Sequence, residues 1–291
     1  MITEVKKILD DANEGNYAVG AFNTINLEFT MAILEAASEK RSPVIIQVTE
    51  KTMDYAGGRA IYGLIKNLVE NYYPEIPVGV HLDHGKDFEV VQRAIEIGFT
   101  SVMYDGSRKK YSDNLMTTKK IAQFCHERGI NLQGELGNVP YLKEVGSTEI
   151  NWDDYMTDPA QAEEFVRETG IDALAVAVGN AHDFAKERPE PDYERLGEIN
   201  RRLNMPLIMH GASDWETEKT VEAVRRGINC FNVDTASRVA FITSLGKTID
   251  GNKSVSFDVR EHLGLARDAV TEVVKKKMDM FGSSGKIESV A

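Results

Sequence analysis

Cysteine is nearly absent from this chain. Cys125 and Cys230 are the only two in 291 residues, and no Cys-x-x-Cys spacing occurs. That scarcity argues against a disulfide framework and a thiolate zinc site, and a reducing cytoplasm is the expected compartment. Long apolar runs are missing too. "ALAVAV" at 173–178 is among the longest, far short of the roughly 20 residues a membrane-spanning helix needs. The opening "MITEVKKILDDANEG" reads as a charged amphipathic helix, without the apolar stretch and cleavage site of a secretory signal. Blocks of positive charge are lacking except "KKK" at 275–277, inside an amphipathic helical stretch. With 34 Lys and Arg against 46 Asp and Glu, the net charge is −12. Neither nucleic acid nor membrane is an expected partner, and the overall field would not steer an anion inward. Any phosphate must be held by local groups.

What is present is alternation. Strand-like runs at 17–23, 43–49, 77–83, 101–105, 131–136, 173–179, 206–210 and 230–234 are separated by helical patterns. Most of these runs are continuously apolar, as expected of parallel strands covered on both faces. Helical stretches such as 88–98 and 161–170 end in glycine, the usual left-handed stop. Eight strands each followed by a helix predict a (β/α)8 TIM barrel. The rival, a doubly wound open sheet, lacks its glycine-rich dinucleotide fingerprint after the first strand, where "GAFNTINLE" stands instead. The expected organisation is one barrel over 1–291, with a C-terminal helical extension from about 258 to 291. Two segments, 137–160 and 183–191, exceed an ordinary strand-to-helix loop and are candidate binding loops.

The carboxyl ends of barrel strands converge on one face, where active sites of this fold are built. Read only there, the chain offers Asn23, Thr49, Asp83, His84, Asp105, Ser107, Glu135, Asn180, His182, His210, Ser213, Asn232 and Asp234. Three of the six histidines, His84, His182 and His210, stand at the ends of three different strands. Imidazoles from three directions with one open position make a catalytic zinc site, able to polarise a carbonyl. A lone histidine at a strand end is more often structural; the coincidence across three strands carries the metal reading. In "HLDHG" the two histidines face opposite sides of the strand. His81 shares its parity with Asp83 and is expected deeper in the barrel, while His126 and His262 fall in helices.

With those residues in place, the sequence resembles the zinc-dependent class II ketose-bisphosphate aldolases, the fructose- and tagatose-bisphosphate group. The likeness runs through "GAFNTINLE", "SPVIIQVTE", "VHLDHG", "SVMYDGS", "GELG", "TDPAQAEEFVRETGIDALAVAVGNAH", "HGASD", "INCFNVDT" and "MFGSSGK". It implies His84, His182 and His210 as ligands of one Zn²⁺ per subunit, with room for a monovalent cation nearby. It implies Asp83 as the acid/base on the hydroxyl beside the bond cleaved. Asp105 and Glu135 would stand behind the ligands or replace one of them, and Asn232 would bond the ketose. Cleavage of this kind needs a base and an electron sink; the metal supplies the sink, so no lysine nucleophile is expected.

The resemblance breaks in places that bear on substrate. The usual "HGGSG" is here "HGASD", putting Ala212 and Asp214 where glycines cradle the donor phosphate; Asp183 follows His182 in place of glycine, and Ala236 replaces an aspartate. Carboxylates beside a phosphate dianion would repel it; like charges about 4 Å apart cost roughly 4 kcal/mol at an effective dielectric of about 20. A donor half without phosphate is therefore expected, the alternative being that these side chains turn outward. In "GELGNVPYLKEVGSTE", Pro140 and Tyr141 replace a Gly-Gly pair, and Glu144 is the candidate for the donor-carbon proton. "FDVREHLGLAR" offers Arg260 for a distal anion, in this subunit or a neighbour's, with Arg108, Lys109 and Lys110 on the same face. Substrate contacts are expected from Asn23, Thr49, Ser107, Asp183, Gly211, Ser213, Asp214, Asn232, Asp234 and Arg260. The expectation is a homodimeric or homotetrameric zinc aldolase cleaving an anionic-tailed ketose into a dihydroxyacetone-type donor and an aldehyde. An ordinary fructose- or tagatose-bisphosphate aldolase and a zinc-dependent sugar epimerase are its alternatives.

Overall fold

The computed structural model describes residues 1–141, 151–182, 190–250 and 256–287. Eight strands, β1 (Val19–Asn23), β2 (Val44–Thr49), β3 (Val78–Gly85), β4 (Ser101–Tyr104), β5 (Asn131–Leu136), β6 (Ala173–Val176), β7 (Leu207–Met209) and β8 (Ile228–Val233), close into a barrel in chain order. Every neighbouring pair is parallel, including β1 with β8. The helices among the described residues are α1 (Val5–Glu14), α2 (Leu27–Lys40), α3 (Glu50–Ala56), α4 (Gly58–Tyr72), α5 (Phe88–Ile97) and α6 (Tyr111–His126). They continue with α7 (Pro159–Thr169), α8 (Tyr193–Leu203), α9 (Thr217–Arg225), α10 (Thr235–Asp250) and α11 (Val259–Phe281). This is the TIM barrel that the alternation predicts. No helix among the described residues is long and apolar enough to cross a membrane.

Side chains of most strands divide between two apolar clusters. Val80 and Leu82, Val102 and Tyr104, Leu174 and Val176, Leu207 and Met209, and Phe231 and Val233 pack outward under the helices. Val19, Ala21, Ile45, Met103, Ala173, Ala175, Ile208 and Cys230 point into the barrel, where Val5, Ile8 and Leu9 of α1 join them. Burial on both faces is why the strands read as unbroken apolar runs. Continuing the inward parity toward the carboxyl ends gives Asn23, Thr49, Asp83, Asp105, Glu135, His210, Asn232 and Asp234. The polar site is thus the top storey of the barrel core.

Helix ends are fixed by local chemistry. Asn26, Thr49, Asp87 and Asp158 cap α2, α3, α5 and α7 with side-chain oxygens that accept from backbone N–H groups. Gly98 and Gly170 end α5 and α7 in the left-handed conformation, as expected. C-terminal α11 packs along α2 and α10.

Several strand bounds differ from expectation by a residue or two, and at β6 and β3 the physical reason is visible. β6 stops at Val176 rather than running to 179, because Asn180 takes over the backbone pairing. Its Oδ1 accepts from Val178 N at 2.7 Å, and its Nδ2 donates to Val176 O at 3.2 Å and to His210 O at 2.9 Å. β3 runs past Asp83 to Gly85, with a register shift against β4 between Leu82 and Gly85. A Cβ on Gly85 would stand 2.5 Å from the Met103 carbonyl oxygen and 2.9 Å from Leu82 Cδ2, so the shifted strands approach more closely than any side chain allows. Gly85→Ala is expected to destabilise the protein by about 1–3 kcal/mol, the usual range for overpacking. Urea unfolding measures it; an unchanged midpoint would contradict the close approach.

Candidate active site

Asp83 and His84 are adjacent on β3, yet both serve one point. Asp83 follows inward parity. His84 follows it with φ of 52°, a left-handed backbone that few non-glycine residues adopt. Together with the register shift, that turn swings the imidazole back over the barrel mouth. Its Nε2 lies 3.8 Å from Asp83 Oδ1 and 3.1 Å from His210 Nδ1, while its Nδ1 meets Asp105 Oδ2 at 2.8 Å. His210, from the end of β7, is buried; its ring centroid is 4.7 Å from that of His84. His182 stands farther off, 5.5 Å from His84 and 6.3 Å from His210 between ring centroids. The three imidazoles face one mouth, but only His84 and His210 gather with Asp83 in a group whose ligand atoms lie within 4.8 Å of one another; His182 falls outside it.

Carboxylates frame the imidazoles. Asp83 Oδ2 accepts from Asn23 Nδ2 at 2.8 Å and its Oδ1 from Asn232 Nδ2 at 3.2 Å, so each oxygen is held by one carboxamide. Asp105 Oδ1 accepts from the Ser107 hydroxyl at 2.7 Å and its backbone N–H at 3.1 Å. Glu135 is buried on β5, and its Oε2 has no hydrogen-bond partner among the described residues. Burial works against charge on His84, but Asp83, Asp105 and Glu135 outweigh it and push its pKa to about 10. Burial also opposes ionisation of Asp83 and Asp105. In Asp83 the neighbouring His84 and His210 and the Asn23 bond overcome it, and in Asp105 the His84 and Ser107 bonds do, so both pKa values fall. Glu135 goes the other way: burial first, then Asp105, raise it to about 8. Burial and the neighbouring His84 lower His182 to about 4 and take His210 well below its ordinary value.

These groups fit a divalent cation. One ligand atom each from Asp83, His84 and His210 lies within 4.8 Å of the others, and the same holds for His84, Asp105 and Glu135. Two ring nitrogens 3.1 Å apart need a proton or a cation between them, and a buried carboxylate oxygen without a partner needs one too. Imidazole and carboxylate donors without thiolate suit Zn²⁺. Each ring is also oriented from behind, His84 by Asp105 and His210 by Gln133, whose Nε2 is 3.1 Å from His210 Nε2.

A cavity of about 1180 Å³ opens above this cluster. Of the expected substrate contacts, Asn23, Thr49, Ser107 and Asp234 line it, and Asn232 reaches it through Asp83. Thr49 spends its hydroxyl on α3, accepting from Thr52 N at 3.2 Å, and Asp234 is paired with Arg238 at 2.8 Å. Gly211 belongs to the turn after His210, with φ of 65°. A Cβ there would lie 2.6 Å from the Ala181 carbonyl oxygen, so the loops carrying His182 and His210 touch backbone to backbone. Ser213 and Asp214 sit on that turn but are not among the residues lining the cavity, and Ala212 is buried in the outer core. Arg260 does not line this chain's cavity either: it starts α11, paired with Asp258 at 2.6 Å and 88% exposed. Glu144 and Asp183 lie outside the described residues. Arg108 and Lys109 line the cavity, whereas Lys110 precedes α6. His81 is buried against Ser101, as its parity predicts; His126 bonds Asp172, and His262 bonds the Ser256 carbonyl.

Sequence reasoning missed Gln133, Arg238, Lys51 and Lys86. Gln133 was findable, since it shares the inward parity of Glu135 two residues on. The other three stand in helices or loops, where no periodicity marks a residue as facing the site.

The charge on His84 has a consequence for metal uptake. Its raised pKa means that the metal-free protein carries a proton there that a cation must displace, so apparent affinity should climb with pH until His84 titrates near 10. With one proton displaced, the slope is about tenfold per pH unit. Zinc titrations of chelator-stripped protein between pH 7 and 9 measure it; a flat profile would contradict a protonated His84.

The family model described as class II fructose-bisphosphate aldolase matches residues 3–286. A fructose-bisphosphate aldolase of Helicobacter pylori is 38% identical over 310 residues, spanning 99% of this chain and all of its own. One from Geobacillus stearothermophilus is 38% identical over 288 residues, spanning 98% of each chain. Among solved structures, the YdjI aldolase of Escherichia coli K12 superposes with a TM-score of 0.86 at 30% identity, over 99% of this chain and 100% of that one. A match across nearly the whole length, on a barrel whose strand ends gather three imidazoles and Asp83, places this chain in the class II fructose-bisphosphate aldolase family.

Proposed function

We propose that this aldolase uses zinc, held by His84, His182 and His210, to cleave a ketose with an anionic tail reversibly into a dihydroxyacetone-type donor and an aldehyde. The observation that carries the chemistry is Asp83, with one oxygen bonded by Asn23, the other by Asn232, and His84 Nε2 3.8 Å away. When bound, zinc supplies a Lewis acid that draws electron density from the substrate carbonyl. Asp83 does the proton work. Its pKa is lowered, so it is ionised at neutral pH and accepts the proton of the hydroxyl beside the breaking carbon–carbon bond. In the synthetic direction it returns that proton. The two carboxamides fix both oxygens, so the carboxylate needs no reorganisation to reach the hydroxyl. The proton exchanged at the donor carbon is assigned to Glu144.

Asp83, Asp105, Glu135, His84 and His182 line the cavity at the strand ends, and Lys51, Lys86, Arg108 and Lys109, all exposed, line it further out together with Glu50 and Asp54. A net charge of −12 repels anions at long range, so these four cations supply the local attraction for an anionic tail. For the donor end we infer a hydroxyl rather than a phosphate, on the strength of Ala212 and Asp214 in the turn after His210. A ketose bisphosphate is the second reading. It is favoured by the names of the 38%-identical relatives and by the place of Asp214 outside the cavity lining. A subunit pair is part of this proposal, since Val239, Ile242 and Ile249 leave an apolar stripe exposed on α10, near Leu265 of α11. Cytoplasmic residence is inferred from two buried free thiols.

Asp83→Ala is expected to lower kcat about 10²–10⁴-fold, the span of general acid–base contributions, with the fold intact by circular dichroism. Activity near wild type would remove Asp83 from the mechanism. A cleavage screen with zinc, across ketoses varied separately at C1 and at the distal end, tests the substrate. Preference for ketoses with a free C1 hydroxyl and a distal anion is expected; clear preference for bisphosphates selects the second reading.

A further inference from the structure

His84 and His210 are each oriented by a hydrogen bond to the ring nitrogen away from their shared point. His182 is built differently. It lies six residues beyond the end of β6, and its imidazole makes no hydrogen bond among the described residues. Its backbone is tied to the loop after β5: His182 N donates to Pro140 O at 2.9 Å, and Tyr141 and His182 form a parallel β-bridge. That bridge brings the Tyr141 ring face to face with the imidazole, 4.3 Å between centroids and 19° between planes. The guanidinium carbon of Arg108 stands 5.6 Å from the centroid of the same ring.

We propose that Tyr141 is a positioning residue of the metal centre: its ring, stacked on His182, sets the plane in which that imidazole presents its donor nitrogen, and links it to the cation Arg108 on the cavity wall. This rests on the reading of His182 as a zinc ligand. The chemistry favours the pairing. An imidazole that donates to a cation becomes electron-poor, and an electron-rich phenol is a good stacking partner for it. A cation near the same phenol is attracted to the ring and holds it in place. Two of the loops that carry the site are thereby fastened together, through backbone and rings at once. The aromatic face matters here, more than the hydroxyl or the bulk.

The test uses full-length protein stripped of metal and reloaded. Zinc dissociation constants come from competition with a chromophoric chelator, and the visible bands of the cobalt-substituted protein report ligand geometry. Tyr141→Phe keeps the stack and should match wild type in both. Tyr141→Leu keeps the bulk without the π-face, and Tyr141→Ala removes both; each should bind zinc about tenfold more weakly or worse, as loss of ligand-orienting partners does, with shifted cobalt bands. Melting temperatures of the metal-free forms show whether each variant is folded. Should Tyr141→Ala not fold, Tyr141→Leu against Tyr141→Phe decides. Leucine or alanine variants with wild-type affinity and cobalt spectrum would overturn the proposal. Wild-type protein that takes up no zinc would instead sink the metal reading beneath it, a separate outcome.

Discussion

Neighbouring residues on a strand face opposite ways, so Asp83 and His84 can share one site only if the backbone turns between them. The left-handed conformation of His84 and the register shift before Gly85 make that turn. Everything above the barrel floor depends on it. It sets His84 Nε2 against His210 and its Nδ1 against Asp105, while Asp83 stays in the inward row between Asn23 and Asn232. The residue proposed for proton transfer and the proposed metal ligand beside it in sequence are thus held as neighbours in space. The conformation carries a steric cost for a residue with a Cβ, offset by the charge-assisted bond to Asp105.

The same crowding gives the site its electrical character. Three carboxylates and three imidazoles in a buried layer cannot all hold their ordinary protonation states. Asp83 and Asp105 are pushed toward the charged form and Glu135 toward the neutral one. His84 takes the positive charge, and His182 and His210 are driven neutral. Two neutral imidazoles are what a cation needs as ligands, and the protonated one marks where a cation would sit. Among the outer cations Arg108 adds to the lowering of His182, and all four are exposed enough to meet an anion first.

Much of this was legible in the sequence, for a reason specific to the fold. Continuous apolar runs announce strands buried on both faces, and a parallel barrel puts all their carboxyl ends on one side; listing the polar residues at those ends yields most of the floor. Parity places His81 below Asp83, and the structure agrees. Parity also turns His84 away from Asp83, and there the structure differs, because strand periodicity says nothing of a left-handed residue and a bulge. Gln133 obeys the same parity as Glu135, two residues on. Arg238 on α10 and Lys51 on α3 follow strand ends by an amount no pattern fixes, and Arg260, which resemblance assigns to a distal anion, is not among the residues lining this chain's own cavity.

The loops divide along the same line. Where a strand continues straight into the site, as at Asp83, Glu135 and Asn232, the backbone ladder positions the side chain and the sequence reports it. Where the strand has already ended, position comes from contacts between loops: Asn180 to the His210 carbonyl, Gly211 against Ala181, Pro140 to His182. These contacts join the loops after β5, β6 and β7 on one side of the mouth. Asp83, Asn23 and Asn232, by contrast, are fixed by strands on the other side. The proton transfer proposed for Asp83 is therefore seated on the rigid half of the barrel, and Ala212 and Asp214, where this chain departs from the family pattern, stand on the half built from loops.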